Sequence, residues 1–146
     1  LELRTARRTR GEKISPETEL YIADTMGEMA LFFHLAHYVF VAGSLVPVGG
    51  HNPIEPAHFN CAIFFGPLMS KNQEVADEMV FENAAIRIKN ETGIFSVLSE
   101  LLEDKQKFQT LADNALAYAE NGHEVLNSIL QRLQPFIDPN NRNNNL

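Results

Sequence analysis

Tyr38-Val39-Phe40-Val41-Ala42 is a continuous apolar run that ends at Gly43. An unbroken run rich in β-branched and aromatic residues is the pattern of a strand buried on both faces, and such strands belong to parallel sheets. The segment after the run decides the fold. Gly43-Ser44-Leu45 opens a glycine-rich loop that closes with Gly49-Gly50-His51-Asn52-Pro53-Ile54-Glu55-Pro56. Asn52 suits a helix cap and Pro53 the first helical position. Pro56 then falls near the first turn, where a missing N–H costs little. The stretch reads as strand, glycine loop and short helix near Pro53–Phe59.

The same alternation extends outward on both sides. Upstream, Leu20-Tyr21-Ile22-Ala23 reads as a strand, followed by a helix over Gly27–Ala36 with Met29, Phe32, Phe33 and Ala36 on one face. Downstream, Ala62-Ile63-Phe64-Phe65 is a strand stopped by Gly66-Pro67, and Val75, Met79 and Val80 mark a helix over 73–81. Ala85-Ile86-Arg87-Ile88 is a shorter strand. Beyond it the pattern is helical: Phe95, Leu98, Leu101 and Leu102 with Thr92 as cap; Phe108, Leu111, Ala112, Ala115 and Ala119, closed by Asn121-Gly122; then Val125, Ile129, Leu130 and Leu133. Strand and helix in alternation predict an α/β, three-layer domain with a mostly parallel sheet and terminal helices. Residues 1–138 form this one domain, and the asparagine-rich tail 139–146 is expected to be disordered.

Bulk properties narrow the function. The 146 residues are 45% hydrophobic, enough for one core. A net charge of −7 gives no general case for nucleic acid. The charge is uneven: Arg4, Arg7, Arg8, Arg10 and Lys13 against Glu2 and Glu12 give residues 1–13 a balance of +3, so the remainder carries −10. This basic head reads either as a solvated, poorly packed end or as a surface for phosphates or anionic lipid. Cys61 is the single cysteine and is expected to be inert packing. His34, His37, His58 and His123 form no metal-ligand pattern. No apolar run approaches the ~20 residues of a membrane span. The chain opens at Leu1 inside a charged stretch, which reads as a piece of a longer protein.

Ligands of open parallel sheets bind at the carboxyl ends of the strands. Three unusual segments fall there: Asp24-Thr25-Met26-Gly27-Glu28, the loop from Gly43 to Pro56, and Gly66-Pro67. In the second, paired glycines permit close approach of a ligand to bare backbone, ahead of a helix N-terminus, an arrangement suited to phosphate. On this reading a β-branched residue at Gly50 abolishes binding and spares the fold. The first segment has the same form: strand end, capping residue, glycine, new helix. Glu55 would repel a phosphate, and the conflict resolves if it accepts from the hydroxyls of a ribose diol; its plainer role is to complement the helix dipole, at about 0.3–1 kcal/mol. His51 either donates to a phosphate oxygen or braces the loop.

Together these segments resemble the 3-deoxy-D-manno-octulosonic acid (Kdo) transferases. The resemblance runs through Asp24-Thr25-Met26-Gly27-Glu28-Met29, Phe40-Val41-Ala42-Gly43-Ser44-Leu45-Val46-Pro47, Gly49-Gly50-His51-Asn52-Pro53-Ile54-Glu55-Pro56, and Gly66-Pro67 with Asn72, and covers roughly residues 4–120. Ala42 stands where the family usually has a second glycine. The resemblance implies a GT-B enzyme of two Rossmann-like domains, inverting and independent of metal or cofactor, of which this is the C-terminal, CMP-Kdo-binding half. It implies nucleotide and phosphate contacts from Thr25, Met26, Gly27, Glu28, Ser44, Gly49, Gly50, His51 and Asn52, ribose contact from Glu55, and an added cation from Arg8 or Arg10. The general base and the lipid A precursor acceptor belong to an N-terminal domain outside this sequence. The chain alone is therefore expected to be soluble and inactive, and the full-length protein to lie at the cytoplasmic face of the inner membrane of Gram-negative bacteria. Two other readings stay open: a GT-B enzyme using a UDP-sugar, and a non-catalytic nucleotide-binding domain.

Overall fold

The computed structural model describes residues 2–137, with side chains at 2–122 and 132–134. The tail predicted to be disordered, 139–146, lies outside the described residues. The elements are β1 (Thr5–Arg7), β2 (Leu20–Ile22), α1 (Met29–Leu35), β3 (Tyr38–Val41), α2 (Ile54–Ala57), β4 (Ala62–Phe65), α3 (Gln73–Phe81), β5 (Ile86–Arg87), α4 (Thr92–Glu103) and α5 (Lys105–Ile137). Every strand pairing is parallel.

The strands divide into two sheets, β1-β2 and β3-β4-β5, rather than the single sheet expected. In the second sheet Phe40 registers with Phe64, and Phe64 with Ile86. Strand β4 is central, and all four of its residues are buried. Its period-2 alternation divides the core. Ile63 and Phe65 pack with Val41, Ala57, Met69, Met79, Ala115 and Ala119 on one face. Ala62 and Phe64 pack with Ile88, Val97, Leu101 and Leu111 on the other. Both faces are thus covered, as the apolar run in the sequence requires.

Other departures from the sequence reading have local causes. Strand β1 was not expected, since only Ala6 in it is apolar. Helix α1 starts at Met29 rather than Gly27, because Gly27 takes φ +82°. Thr92 is the first residue of α4, not its cap, and its hydroxyl donates to Asn90 Oδ1 at 2.7 Å. The two last helices are one continuous α5 through Asn121-Gly122. An interior glycine costs only about 1 kcal/mol against alanine, and the helix is well started: Asp104 Oδ1 accepts from Lys107 N–H at 2.9 Å.

Candidate functional site

Strands β3 and β4 end side by side, and the loops that leave them are knitted together. Ser44 makes the joint. Its hydroxyl donates to Val41 O at 2.5 Å and accepts from Gly66 N–H at 2.8 Å, and the residue is fully buried. A buried, doubly bonded hydroxyl shapes the rim but cannot meet a ligand, which corrects the expectation of a nucleotide contact from Ser44. The loop folds back through Gly50 N–H to Gly43 O (3.0 Å) and His51 N–H to Ala42 O (3.2 Å). Those two N–H groups are therefore not open to a phosphate. Within Gly49–Asn52 the exposed, unpartnered N–H among the described residues is that of Asn52.

The glycine pair serves packing more than ligand approach. Gly49 and Gly50 have φ of +96° and +71°. A Cβ on Gly50 would stand 2.2 Å from Met69 Sδ, and one on Gly49 would stand 2.7 Å from Ser70 Oγ. Both glycines are buried beneath the loop that follows β4. Lys71 N–H donates to Gly49 O at 3.0 Å, and Asn72 Nδ2 donates to His51 O at 3.3 Å. The expectation that a larger residue at Gly50 spares the fold therefore fails: the missing side chain would enter the core at Met69.

Beyond the glycines the chain turns into α2. Its N-cap is Pro53, one residue later than read from the sequence, while Asn52 Oδ1 accepts from Ile54 N–H at 3.0 Å. The capping role given to Asn52 is thus performed from the preceding position. His51 and Glu55 are exposed, and the carboxylate of Glu55 has one long contact, 3.5 Å from Asn52 Nδ2. Both lie where a ligand can reach them.

The segment 24–28 follows β2 in the other sheet and shares no hydrogen bond with the glycine loop among the described residues. It is held by the N-terminal strand instead. Arg8 forks onto Glu28, with NH2 2.6 Å from Oε1 and Nε 3.1 Å from Oε2, and the Thr25 hydroxyl donates to the same carboxylate. Thr9 donates to Asp24 through its N–H at 3.0 Å and its hydroxyl at 2.8 Å, with Arg7 3.5 Å from Asp24. These bonds depress both acids. The Arg8 guanidinium, then Thr25, hold Glu28 at about 2; Thr9, and more weakly Arg7, pull Asp24 down. Arg8 is raised in turn by Glu28 and then Tyr21. The four arginines of the basic head are thus all paired, since Arg4 and Arg10 meet Glu19 and Glu12, and Lys13 is left without an ion pair among the described residues. Glu28 is an internal clamp, not an open ligand group. The N–H groups of Thr25, Met26 and Gly27 have no partner among the described residues, and Met26 and Gly27 are exposed.

Cys61 is buried, its thiol 3.2 Å from Ala36 O, and burial pushes its pKa up. That is the inert packing expected of it. No three His, Cys, Asp or Glu side chains gather as a metal would require, and no helix is long and apolar enough to cross a membrane, among the described residues. A large open cavity, about 1150 Å³, lies between α2, α3 and α5, reaching Ile54 at the start of α2. Asp77, Glu78 and Glu82 line it. Asp77 is paired with Arg87, but Glu78 and Glu82 have no ion-pair partner among the described residues and disfavour a phosphate, so the strand ends remain the better site.

A parallel α/β unit with a glycine loop and short helix at its strand ends is a Rossmann-like domain of the kind that forms the C-terminal half of a GT-B glycosyltransferase. Comparison gives the family. The 3-deoxy-D-manno-octulosonic acid transferase of Rickettsia typhi is 40% identical over 121 residues, which is 82% of this chain and 26% of that protein. That of Rickettsia prowazekii is 42% identical over 122 residues, again 82% of this chain and 26% of that protein. Among solved structures, the C-terminal CMP-Kdo binding domain of WaaA from Acinetobacter baumannii superposes with a TM-score of 0.76 at 33% identity, over 80% of this chain and 61% of that one. No protein-family model matches. The chain belongs to the Kdo transferase family, and it spans about a quarter of the length of these curated relatives.

Proposed function

We propose that this chain is the donor-binding domain of a Kdo transferase and that it binds CMP-Kdo at the carboxyl ends of β3 and β4. The observation that carries the reading is the likeness, in both fold and sequence, to a domain described as binding CMP-Kdo. The site chemistry supports it. Glu55 is exposed and nearly unpartnered, as a ribose-diol acceptor must be. The Asn52 N–H, the His51 side chain and the open N–H groups of Thr25–Gly27 supply donors for the phosphate.

In the reaction we infer, an acceptor hydroxyl on a lipid A precursor attacks the anomeric carbon of Kdo. The bond to the CMP phosphate breaks with inversion, and the departing phosphate gains charge. Donors fixed at the rim before reaction stabilise that charge without reorganising. The acceptor site, the general base and the attachment to the cytoplasmic face of the inner membrane belong to the remainder of the full-length protein.

Titration of the chain with CMP, UMP and AMP tests this. CMP is expected to bind most tightly, and the chain alone is expected to transfer no Kdo above a no-enzyme control. Equal affinity for the three nucleotides, or tighter binding of UMP, would overturn the CMP-Kdo reading.

A further inference from the structure

A phosphate at this rim gains from a cation, and the arginines expected to supply one are paired. Arg8 is spent on Glu28 and Arg10 faces Glu12. Between residues 14 and 86, a stretch that holds the whole candidate site, the sequence contains a single Lys or Arg: Lys71. The same stretch holds nine Asp and Glu residues, so a lone cation there stands out against its surroundings.

Its position is specific. Lys71 sits on the loop after β4, and its own N–H closes onto Gly49 O at 3.0 Å. Its aliphatic stem crosses Gly49, since a Cβ built on that glycine would stand 2.9 Å from Lys71 Cγ and 3.4 Å from Cδ. The residue is exposed, and no carboxylate lies within ion-pair distance of it among the described residues. A lysine in this posture packs its methylenes on the bare Cα of a glycine and keeps its ammonium in water. An ammonium with three rotatable donors is a competent phosphate ligand. Gly49 lacks a side chain, and this lets the stem lie flat across the loop.

We propose that Lys71 is the phosphate-binding cation of this site, reaching over the glycine loop to the phosphate of a nucleotide ligand beside the exposed Asn52 N–H. The inference rests on the donor-binding reading and deepens it. It gives the glycine pair a second consequence: by admitting the 66–72 loop, the glycines bring in the one unneutralised cation of the region among the described residues.

Calorimetric titration of the chain at several KCl concentrations, with CMP and with cytidine, tests the assignment. Lys71→Met keeps the stem and removes only the charge. It is expected to weaken CMP about tenfold, flatten the salt dependence and leave cytidine unchanged. Lys71→Arg is expected to recover most of the CMP affinity. The assignment is overturned if Lys71→Met binds CMP as tightly as the wild type at every salt concentration, or if it loses cytidine to the same extent, which marks a structural role. A wild type that binds cytidine as well as CMP overturns it too, while leaving nucleoside binding in place. A wild type that binds neither overturns the donor-binding reading itself, and this inference with it.

Discussion

The two sheets of this molecule each end in a loop, and the two loops are held by different forces. Residues 2–40 contain one buried residue, Ala6. The 24–28 loop there is fixed by Arg7, Arg8 and Thr9 through ion pairs and hydrogen bonds at the surface. The 43–53 loop is fixed from beneath, by Met69, Ser44 and a strand with every residue buried. Apolar packing has no proton to lose and no charge for salt to screen, whereas surface charge pairing depends on both pH and ionic strength. One loop is therefore held largely without charge, and the other is conditional on pH and ionic strength.

The largest effect that would test this contrast comes from the glycines. Gly27 and Gly50 have nearly the same backbone hand, φ +82° and +71°, in opposite surroundings. A Cβ on Gly27 meets nothing within 4 Å, and one on Gly50 lies 2.2 Å from the Sδ of a fully buried methionine. Gly27→Ala therefore carries only the left-handed strain, about 1–2 kcal/mol. Gly50→Val adds overpacking of the core and is expected to cost about 3 kcal/mol or more in total. Urea unfolding of both variants measures the difference. Equal losses would mean that the second loop is no better anchored than the first.

The next effect separates the two glutamates of the rim. Glu28 is committed to Arg8 and Thr25, whereas Glu55 has only a 3.5 Å contact. If Glu55 holds the ribose diol, Glu55→Gln weakens CMP about tenfold or more, the scale of a hydrogen bond to a charged group. It weakens 2′,3′-dideoxy-CMP much less, because that ligand has no diol to lose. If Glu55 only complements the dipole of α2, removing its charge leaves CMP binding equal or tighter. The two roles predict opposite signs, and a single titration decides between them.

Much of this was legible in the sequence, and the parts that were not share a cause. Strands β2 to β5 and helix α3 announced themselves because apolar runs and helical periodicity report burial directly. The Gly49–Pro56 string gave the loop and the short helix. Strand β1 was missed because Thr5-Ala6-Arg7 has no apolar alternation; it exists by pairing with β2 and by charge. The clamp of Arg8 on Glu28 spans 20 residues and leaves no local signal. Ser44 and Gly50 looked like ligand groups because a loop serine and a paired glycine carry the same letters whether they face solvent or a core methionine. Only the approach of the 66–72 loop distinguishes the cases.

The smallest effect is the most direct test of the comparison, since acid should undo one region and spare the other. The sign follows from the depressed acids. A carboxylate whose pKa is lowered by folding contributes stability that is present above its unfolded value and is lost as pH falls through its folded value. Glu28 moves from an ordinary 4.5 to about 2 through Arg8 and then Thr25, and Asp24 moves in the same direction through Thr9. Between about pH 4.5 and 2 the clamp on the 24–28 loop should weaken progressively. The central strand β4 has no such dependence, because Ile63 and Phe65 are held by packing; Asp77 on α3 is lowered too, by Gln73 and then by Arg87 of β5, so acid also loosens the tie between α3 and that edge strand. Hydrogen exchange followed as protection factors across this range reads both regions at once. The Thr9 amide donates to the carboxylate of Asp24 and should lose protection first, while Ile63 and Phe64 retain theirs. Loss of protection in all three at a single pH would show that the molecule opens as one unit, and that the charged clamp does not set the stability of the first loop.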